Sequence, residues 1–531
     1  MAQKPANLTY GLTDRPKALV TFLLALQHIS LIAIGLVFSV IIVRETGGEM
    51  ESAVRFVSAS MLAGGIVVIL QSLKKGPVGS GYLCPGVCGP SYFAASLLAA
   101  KTGGLSLVFG MTAIAALFEG ILAKVMRHLR ILFPAEVTGL IVLMVGLTVV
   151  KIASINFFGI NDSMSTFSLP SFYTALVTLA IMVGLNVWSK GKLKLFCALI
   201  GMVAGYILSI VFGILAISEL TELTNIPIVA LPFAGHPGWS FDISLLLPFL
   251  VAVLCSSLKT VGDITTCQRI NDVDWKRPDM DNISKGLLAD GSGALIAGIV
   301  GGFGQSSSSS NIGLSIATGA TSRIIAKWIG ILLIIMSLFP YTAMVFVAMP
   351  APVMGATLLF ALSFMVVAGM QIIMSRMMDG RKTFVVGLSL VFGLSIDIVP
   401  YVYAQAPSWI SPVVSSSLAG ATIMAVTLNL LFRLGIAQSA LLKITPDINS
   451  TDAVFSFMER QGGLWGARHE VIQKATFAIC ESLESIFATN SHNDTSVAMN
   501  VRFDEYNLDV TVEYQGTALV SAQERPSNEA I

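Results

Sequence analysis

From Ala18 to Val43 the chain carries no formally charged side chain, His28 being the one titratable group on the way. About 20 apolar residues cross a bilayer as a helix, and a lipid interior tolerates no unpaired backbone. The feature recurs. Leu195–Ser218 carries no charge, and Trp328–Ser375 runs 48 residues without one, broken at Pro350 and Pro352 and so read as two spans. The first stretch is too long for a signal peptide, and no small-residue cleavage pattern follows it. Charged residues make up 12% of the 531 and apolar ones 54%, against about 25% charged in ordinary soluble domains. That excludes a soluble enzyme, a disordered chain and a collagen-like one.

The pattern predicts an all-α polytopic membrane protein of fourteen segments, at 18–43, 53–73, 82–100, 104–126, 132–152, 170–189, 194–218, 244–267, 284–303, 306–322, 324–348, 352–375, 383–402 and 411–434. With the N-terminus inside, inner loops collect 22 Lys and Arg, from Lys4, Arg15 and Lys17 through to Arg433 and Lys443; outer positions hold only Arg44, Arg55, Lys101 and Lys151. Basic residues favour the cytoplasmic side, so both termini are expected in the cytoplasm of a multi-pass protein of the plasma membrane, the inner membrane in a bacterium.

Two segments cannot be plain spanning helices. Segment three opens Tyr82-Leu-Cys-Pro-Gly-Val-Cys-Gly-Pro90, and segment ten is a serine run from Ser306 followed by Asn311-Ile-Gly313. Irregular backbone at membrane depth persists only where it is buried in protein or lines a cavity. The two lie seven segments apart, which points to an inverted-repeat transporter with its site between two half-helix N-termini. A Gly/Ser-rich packing interface is the blander alternative.

Ionisable groups inside a membrane are costly and usually functional. Here they are His28, Glu119, Glu136, Lys259, Asp263, Asp290 and Asp397. Glu119 and Glu136, near segment ends beside the basic run Lys124–Arg130, read as solvated or structurally paired, and Asp397 as structural. Asp290, in Leu-Ala-Asp-Gly-Ser-Gly, reads equally as a helix-packing hydrogen bonder or part of a proton path. Lys259 and Asp263 share a helix face, as an internal salt bridge or as a substrate or ion site. His28, with Gln27 before it, is a packing residue or a hydrogen-bonding one. Six scattered cysteines, with Cys84 and Cys88 the one close pair, suggest reduced thiols and no metal site.

Five motifs taken together resemble the nucleobase–ascorbate transporter family, the xanthine/uracil permeases, over roughly residues 17–435. They are Gln27-His28, Phe133-Pro-Ala-Glu-Val-Thr-Gly139, Val261-Gly-Asp263, Leu288-Ala-Asp-Gly-Ser-Gly293, and Ser310-Asn-Ile-Gly313 with Thr318 and Ser322-Arg323 beyond. The resemblance implies two inverted repeats of seven segments, a core of segments 1–4 and 8–11, and a gate of segments 5–7 and 12–14. It also implies an elevator-type movement, a homodimer, and coupling to a proton or sodium gradient. The implied substrate-binding residues are Tyr92, Lys259, Asp263, Ser310, Asn311 and Gly313, with Tyr92 matching an aromatic that stacks on the base. Gln27, His28, Asp290 and Thr318 are implied as coupling or structural polar residues. Two positions depart from the family pattern. Lys259 stands where an acid that contacts the base is usual, and Ser310 where Gln, Glu or Pro begins the signature.

Lys259 suggests an anionic ligand, and the Gly-Asp pair resembles the purine branch. The expected function is therefore a secondary transporter of a purine such as xanthine or urate. Uracil, a small inorganic or carboxylate anion, and a membrane sensor signalling through the tail are the alternatives. No enzymatic activity, cofactor or nucleic-acid partner is expected.

Residues 1–446 have a net charge of +9 and residues 447–531 of −8, which marks a domain boundary. The acidic tail reads as a small α+β cytoplasmic domain: a helix in 466–489 with Val471, Ala475, Ile479, Leu483 and Ile486 on one face, then strands 496–503 and 508–514. It faintly resembles part of a histidine-kinase-type ATPase fold. Ser485 and Tyr514 stand where that fold needs Asn and Asp, so nucleotide binding is not expected.

Overall fold

The computed structural model describes residues 4–6, 8–129, 134–160, 168–189, 193, 196–215, 227–275, 278–374, 378–407, 416–432, 438–445, 450–467, 469–489, 497–503 and 508–517. Phe133, the basic positions Arg130, Lys190, Lys192, Lys194, Lys276, Arg277, Arg376 and Arg433, the start of the fourteenth segment and the hairpin turn 504–507 lie outside them.

Helices α1 (Ala18–Glu45) and α2 (Met50–Gln71) lead into a three-residue strand β1 (Gly86–Cys88), a 3-10 turn Pro90–Tyr92, and α3 (Phe93–Leu129). Helix α3 breaks at Gly103–Gly104, where Gly104 takes φ +72°. Only glycine enters that region freely, so the pair divides a half-helix from the fourth segment. Next come α4 (Ala135–Phe158), α5 (Leu169–Trp188), α6 (Cys197–Val211), α7 (Leu246–Ile270) and α8 (Met280–Val300). Strand β2 (Gln305–Ser307) and the short α9 (Ser309–Thr318) form the tenth segment. They are followed by α10 (Arg323–Ser337), α11 (Pro340–Val347), α12 (Ala351–Ile373), α13 (Gly380–Ile398) and α14 (Ser417–Leu431).

Each of the fourteen expected stretches contains a helical element, and among the described residues eight helices are long and apolar enough to cross a membrane. The eleventh stretch is not straight: α10 and α11 meet at 88°. Pro340 opens α11; lacking an N–H and clashing with the preceding turn, it cannot continue α10. Burial sorts the helices. In α1, 89% of the apolar window is covered by protein, against 22% in α5, so α1 runs through the body and α5 lies at its edge.

Packing divides the helices into two groups. Helices α1, α2, α3, α7, α8 and α10 pack on one another. Helix α4 lies along α12, α5 along α6 and α12, and α13 along α14, which also meets α4. Between the groups, α7 meets α4 and α14.

The tail differs from expectation in extent. Strand β3 (Gln438–Ile444), expected in the membrane unit, pairs antiparallel with β4 (Val497–Phe503), which pairs with β5 (Leu508–Tyr514), giving the order β3-β4-β5. Two helices, α15 (Ser450–Trp465) and α16 (His469–Thr489), pack with this sheet around Trp465, Ile479, Leu483, Met499 and Phe503. Gly466, at φ +63°, follows α15, which is why the expected helix begins only at His469. Its buried face runs Ile472–Thr476–Ile479–Leu483–Ile486, leaving Val471 exposed. The tail touches the membrane unit where Nζ of the buried Lys382, on α13, donates to the Gly466 carbonyl at 3.4 Å.

Candidate functional site

The two irregular segments meet. Strands β1 and β2 pair antiparallel, with Gly86 opposite Ser307, Val87 opposite Ser306 and Cys88 opposite Gln305. The pairing satisfies backbone that lipid could not. Small residues permit the approach: a Cβ on Gly304 would lie 2.6 Å from the Tyr92 ring, a distance no side chain accepts. Ser308 caps α9, its side chain accepting from the Asn311 N–H.

Lys259, Gly262, Asp263 and Thr266 occupy positions i, i+3, i+4 and i+7 of α7, one face of the helix, and α7 packs against α9 and β2. The Lys259 ammonium donates to Asp263 Oδ2 at 3.3 Å and to the Ser307 carbonyl. Asp263 also accepts from the hydroxyls of Ser307 and, at 2.7 Å, Ser309. The last residue of β2 and the first residue of α9 thus deliver two hydroxyls to one carboxylate. Asp290, fully buried, accepts from Gln71 Nε2 at 2.7 Å, Thr260 Oγ1 at 2.6 Å and the Ser307 N–H at 3.0 Å.

On α1, His28 Nδ1 donates to Asn311 Oδ1 at 2.8 Å, and Asn311 Nδ2 donates to Ser308 Oγ at 2.9 Å. Gln27 is buried beside it. The open side of the site is formed by Ser310 and Gly313, both exposed, and by Gly262; nothing lies within 4 Å of where a Cβ would stand on either glycine.

The structure thus brings together Lys259, Asp263, Asn311, His28 and Asp290, with Ser310 and Gly313 at the edge. Thr318 is not part of this group. Its hydroxyl donates to the Leu314 carbonyl at the far end of α9. Tyr92 does not offer a free ring face: it is fully buried, its ring against Gly304 and its hydroxyl on Glu119 Oε2 at 3.2 Å. Glu119 corrects the sequence reading too. It is fully buried rather than solvated, and Oε1 accepts from Ser257 at 3.3 Å. Gln71, Thr260, Ser257, Ser307 and Ser309 were not singled out from sequence. The serine run itself carried the signal for the last two; the others are ordinary polar residues in apolar helices.

The polar centre therefore holds three buried carboxylates, Glu119, Asp263 and Asp290, and one ammonium, Lys259. No group of side chains suited to a metal ion occurs among the described residues.

A many-helix membrane body whose buried polar centre is closed by two short paired strands and their half-helices belongs to the permeases, not the enzymes. The Permease family model for xanthine/uracil permeases matches residues 19–402, and the chain belongs to that family, the nucleobase–ascorbate transporters. It is 29% identical over 443 residues to xanthine permease XanP of Escherichia coli (strain K12), covering 80% of this chain and 95% of that one. It is 25% identical over 430 residues to uric acid permease PucJ of Bacillus subtilis (strain 168), covering 79% and 94%. The fold is also that of the murine anion transporter Slc26a9, with a TM-score of 0.51 at 11% identity over 82% of this chain and 72% of that one.

Proposed function

We propose that the chain is a secondary active transporter of an oxidised purine, xanthine or urate, working as a homodimer in the plasma membrane or bacterial inner membrane with both termini in the cytoplasm. The observation that carries the substrate class is the likeness to xanthine and uric acid permeases along nearly their whole lengths. The site chemistry agrees with it. A planar base with donors and acceptors on its edge suits an opening lined by Ser310 and the Gly313 backbone, with Asn311 buried behind them and its amide oriented by His28 and Ser308.

In this reading the fourteen segments form two inverted repeats. Helices α1–α3 and α7–α11 make the core, and α4–α6 with α12–α14 make the gate. The core carries the base past the gate as an elevator, driven by a proton or sodium gradient. The paired strands β1 and β2 join the two half-helices so that they travel together. Asp263 and Asp290, tied through Ser307, hold the tenth segment to the eighth and ninth.

The test is counterflow of labelled xanthine and urate in proteoliposomes holding the purified full-length protein, with uracil, sulfate and oxalate as competitors. Exchange of a purine that uracil and sulfate do not compete away supports the reading. Exchange of sulfate or oxalate with no purine exchange overturns it.

A further inference from the structure

We propose that Glu119 is a proton-binding residue of the transport cycle, held between the half-helix turn that carries Tyr92 and helix α7. This deepens the transporter reading and rests on it only for the transport arm of the test below.

The geometry isolates this acid. Glu119 is fully buried, and its two oxygens accept from the Tyr92 hydroxyl, at 3.2 Å, and the Ser257 hydroxyl, at 3.3 Å, with the Ser256 hydroxyl close by. Among the described residues no ammonium or guanidinium forms an ion pair with it. Two long bonds from neutral hydroxyls do not replace the hydration of a buried carboxylate. Its neighbour Asp290 is served quite differently, with three shorter bonds from Gln71, Thr260 and the Ser307 N–H. A Cβ on Gly291, next to Asp290, would lie 3.3 Å from Glu119 Cβ, so the two acids sit side by side.

Two charged or titratable groups on helices packed around α3 are engaged elsewhere. Lys259 on α7 turns to Asp263 and the Ser307 carbonyl, and His28 on α1 turns to Asn311. Tyr92 and Asp290 face Glu119. One O–H bond forms on a Glu119 oxygen when a proton arrives from water on one side. The same bond breaks when the proton leaves to water on the other. Tyr92 sits in the turn directly after β1, so its hydroxyl ties Glu119 to the element next to the open site.

The experiment uses the full-length protein in lipid vesicles. Infrared difference spectra between acidic and alkaline pH should show the carbonyl band of a titrating protonated carboxyl group in the parent. That band should be lost in Glu119→Gln and retained in Glu119→Asp. In the transport arm, Glu119→Gln should flatten the pH profile of urate and xanthine uptake and lose accumulation driven by an imposed pH gradient, and Glu119→Asp should restore pH dependence. A band unchanged in Glu119→Gln, or a Glu119→Gln variant with the parent's pH profile, overturns the proposal. A parent that exchanges no purine refutes the substrate reading alone, and the infrared arm then decides Glu119 by itself.

Discussion

His28 and Asn311, 283 residues apart in the chain, meet through a single 2.8 Å hydrogen bond from the ring Nδ1 to the amide oxygen. The bond joins a helix that runs through the protein body to the first turn of the tenth segment. It leaves Asn311 Nδ2 on Ser308, so the amide has one defined orientation beside the open face.

That pair should behave as a unit. His28→Ala and Asn311→Ala are each expected to weaken purine binding, and the double variant should weaken it by less than the sum. A coupling of about 1 kcal/mol, roughly fivefold in affinity, is the size of one such bond. Binding isotherms on the four proteins measure it; additive losses would mean that His28 does not orient Asn311.

Lys259 and Asp263 should show the behaviour of a buried ion pair. Their side chains are only 7% and 9% exposed. Removing one partner strands the other, at a cost of about 3–5 kcal/mol. Lys259→Gln alone should yield poorly folded protein, and Lys259→Gln with Asp263→Asn should recover a monodisperse peak in detergent. The recovered variant then tests ligand charge. If it keeps the parent's preference for urate over a neutral base, Lys259 serves Asp263 alone, and the case for an anionic ligand built on it fails.

The tail should be removable, but only at the right place. A cut at residue 447 leaves β3 behind, stripped of β4, with Leu441, Leu442 and Ile444 unpaired. An orphaned apolar edge strand is an aggregation site. Truncation after Phe432 should give a monodisperse membrane unit, and truncation at 447 a less soluble one. Size-exclusion profiles of the two proteins in the same detergent decide the matter; equal profiles would show that β3 needs no partner.

The loop before α7 should loosen in mild acid. His236 lies between Phe109 and Trp239, and its Nδ1 accepts from the Gly238 N–H at 2.9 Å. Partial burial holds it below the ordinary histidine value of 6.5. The unfolded loop therefore takes up a proton first as pH falls. The loop's stability is full above about pH 6.5 and declines as pH falls from there toward the lowered folded value. Limited proteolysis at pH 7.5 and pH 5.5 should show faster cleavage near 233–240 at the lower pH in the parent, and no such change in His236→Gln. Equal rates for the parent at both pH values would count against it.

Helices were legible because the lipid requirement acts on every residue of a span, so α1, α4, α7 and α12 could be read from hydropathy alone. The interruption of segments three and ten was legible from their Pro, Gly and Ser content. What each polar side chain touches was not. Glu119 sits near a segment end by sequence count, and only the approach of α8, set by Gly291 and Gly298, buries it. Tyr92 matched a family aromatic by position, yet the missing side chain of Gly304 lets its ring pack inward. Strand β3 escaped notice because its partner lies more than fifty residues downstream, and strand pairing leaves no local trace at that distance.

The pairing of Gly86 with Ser307 also sets a schedule for biogenesis. The two residues are 221 positions apart. At about 5–20 residues per second of synthesis, the first strand waits roughly 10–40 s for its partner to emerge. During that interval the backbone of residues 86–88 has no ladder to join, in surroundings where an unpaired N–H is heavily penalised. The third segment must therefore stay at the membrane surface, in the translocation machinery, or under the cover of α1 and α2 until the tenth is made. A chain stalled before residue 305 would be a distinct substrate for quality control.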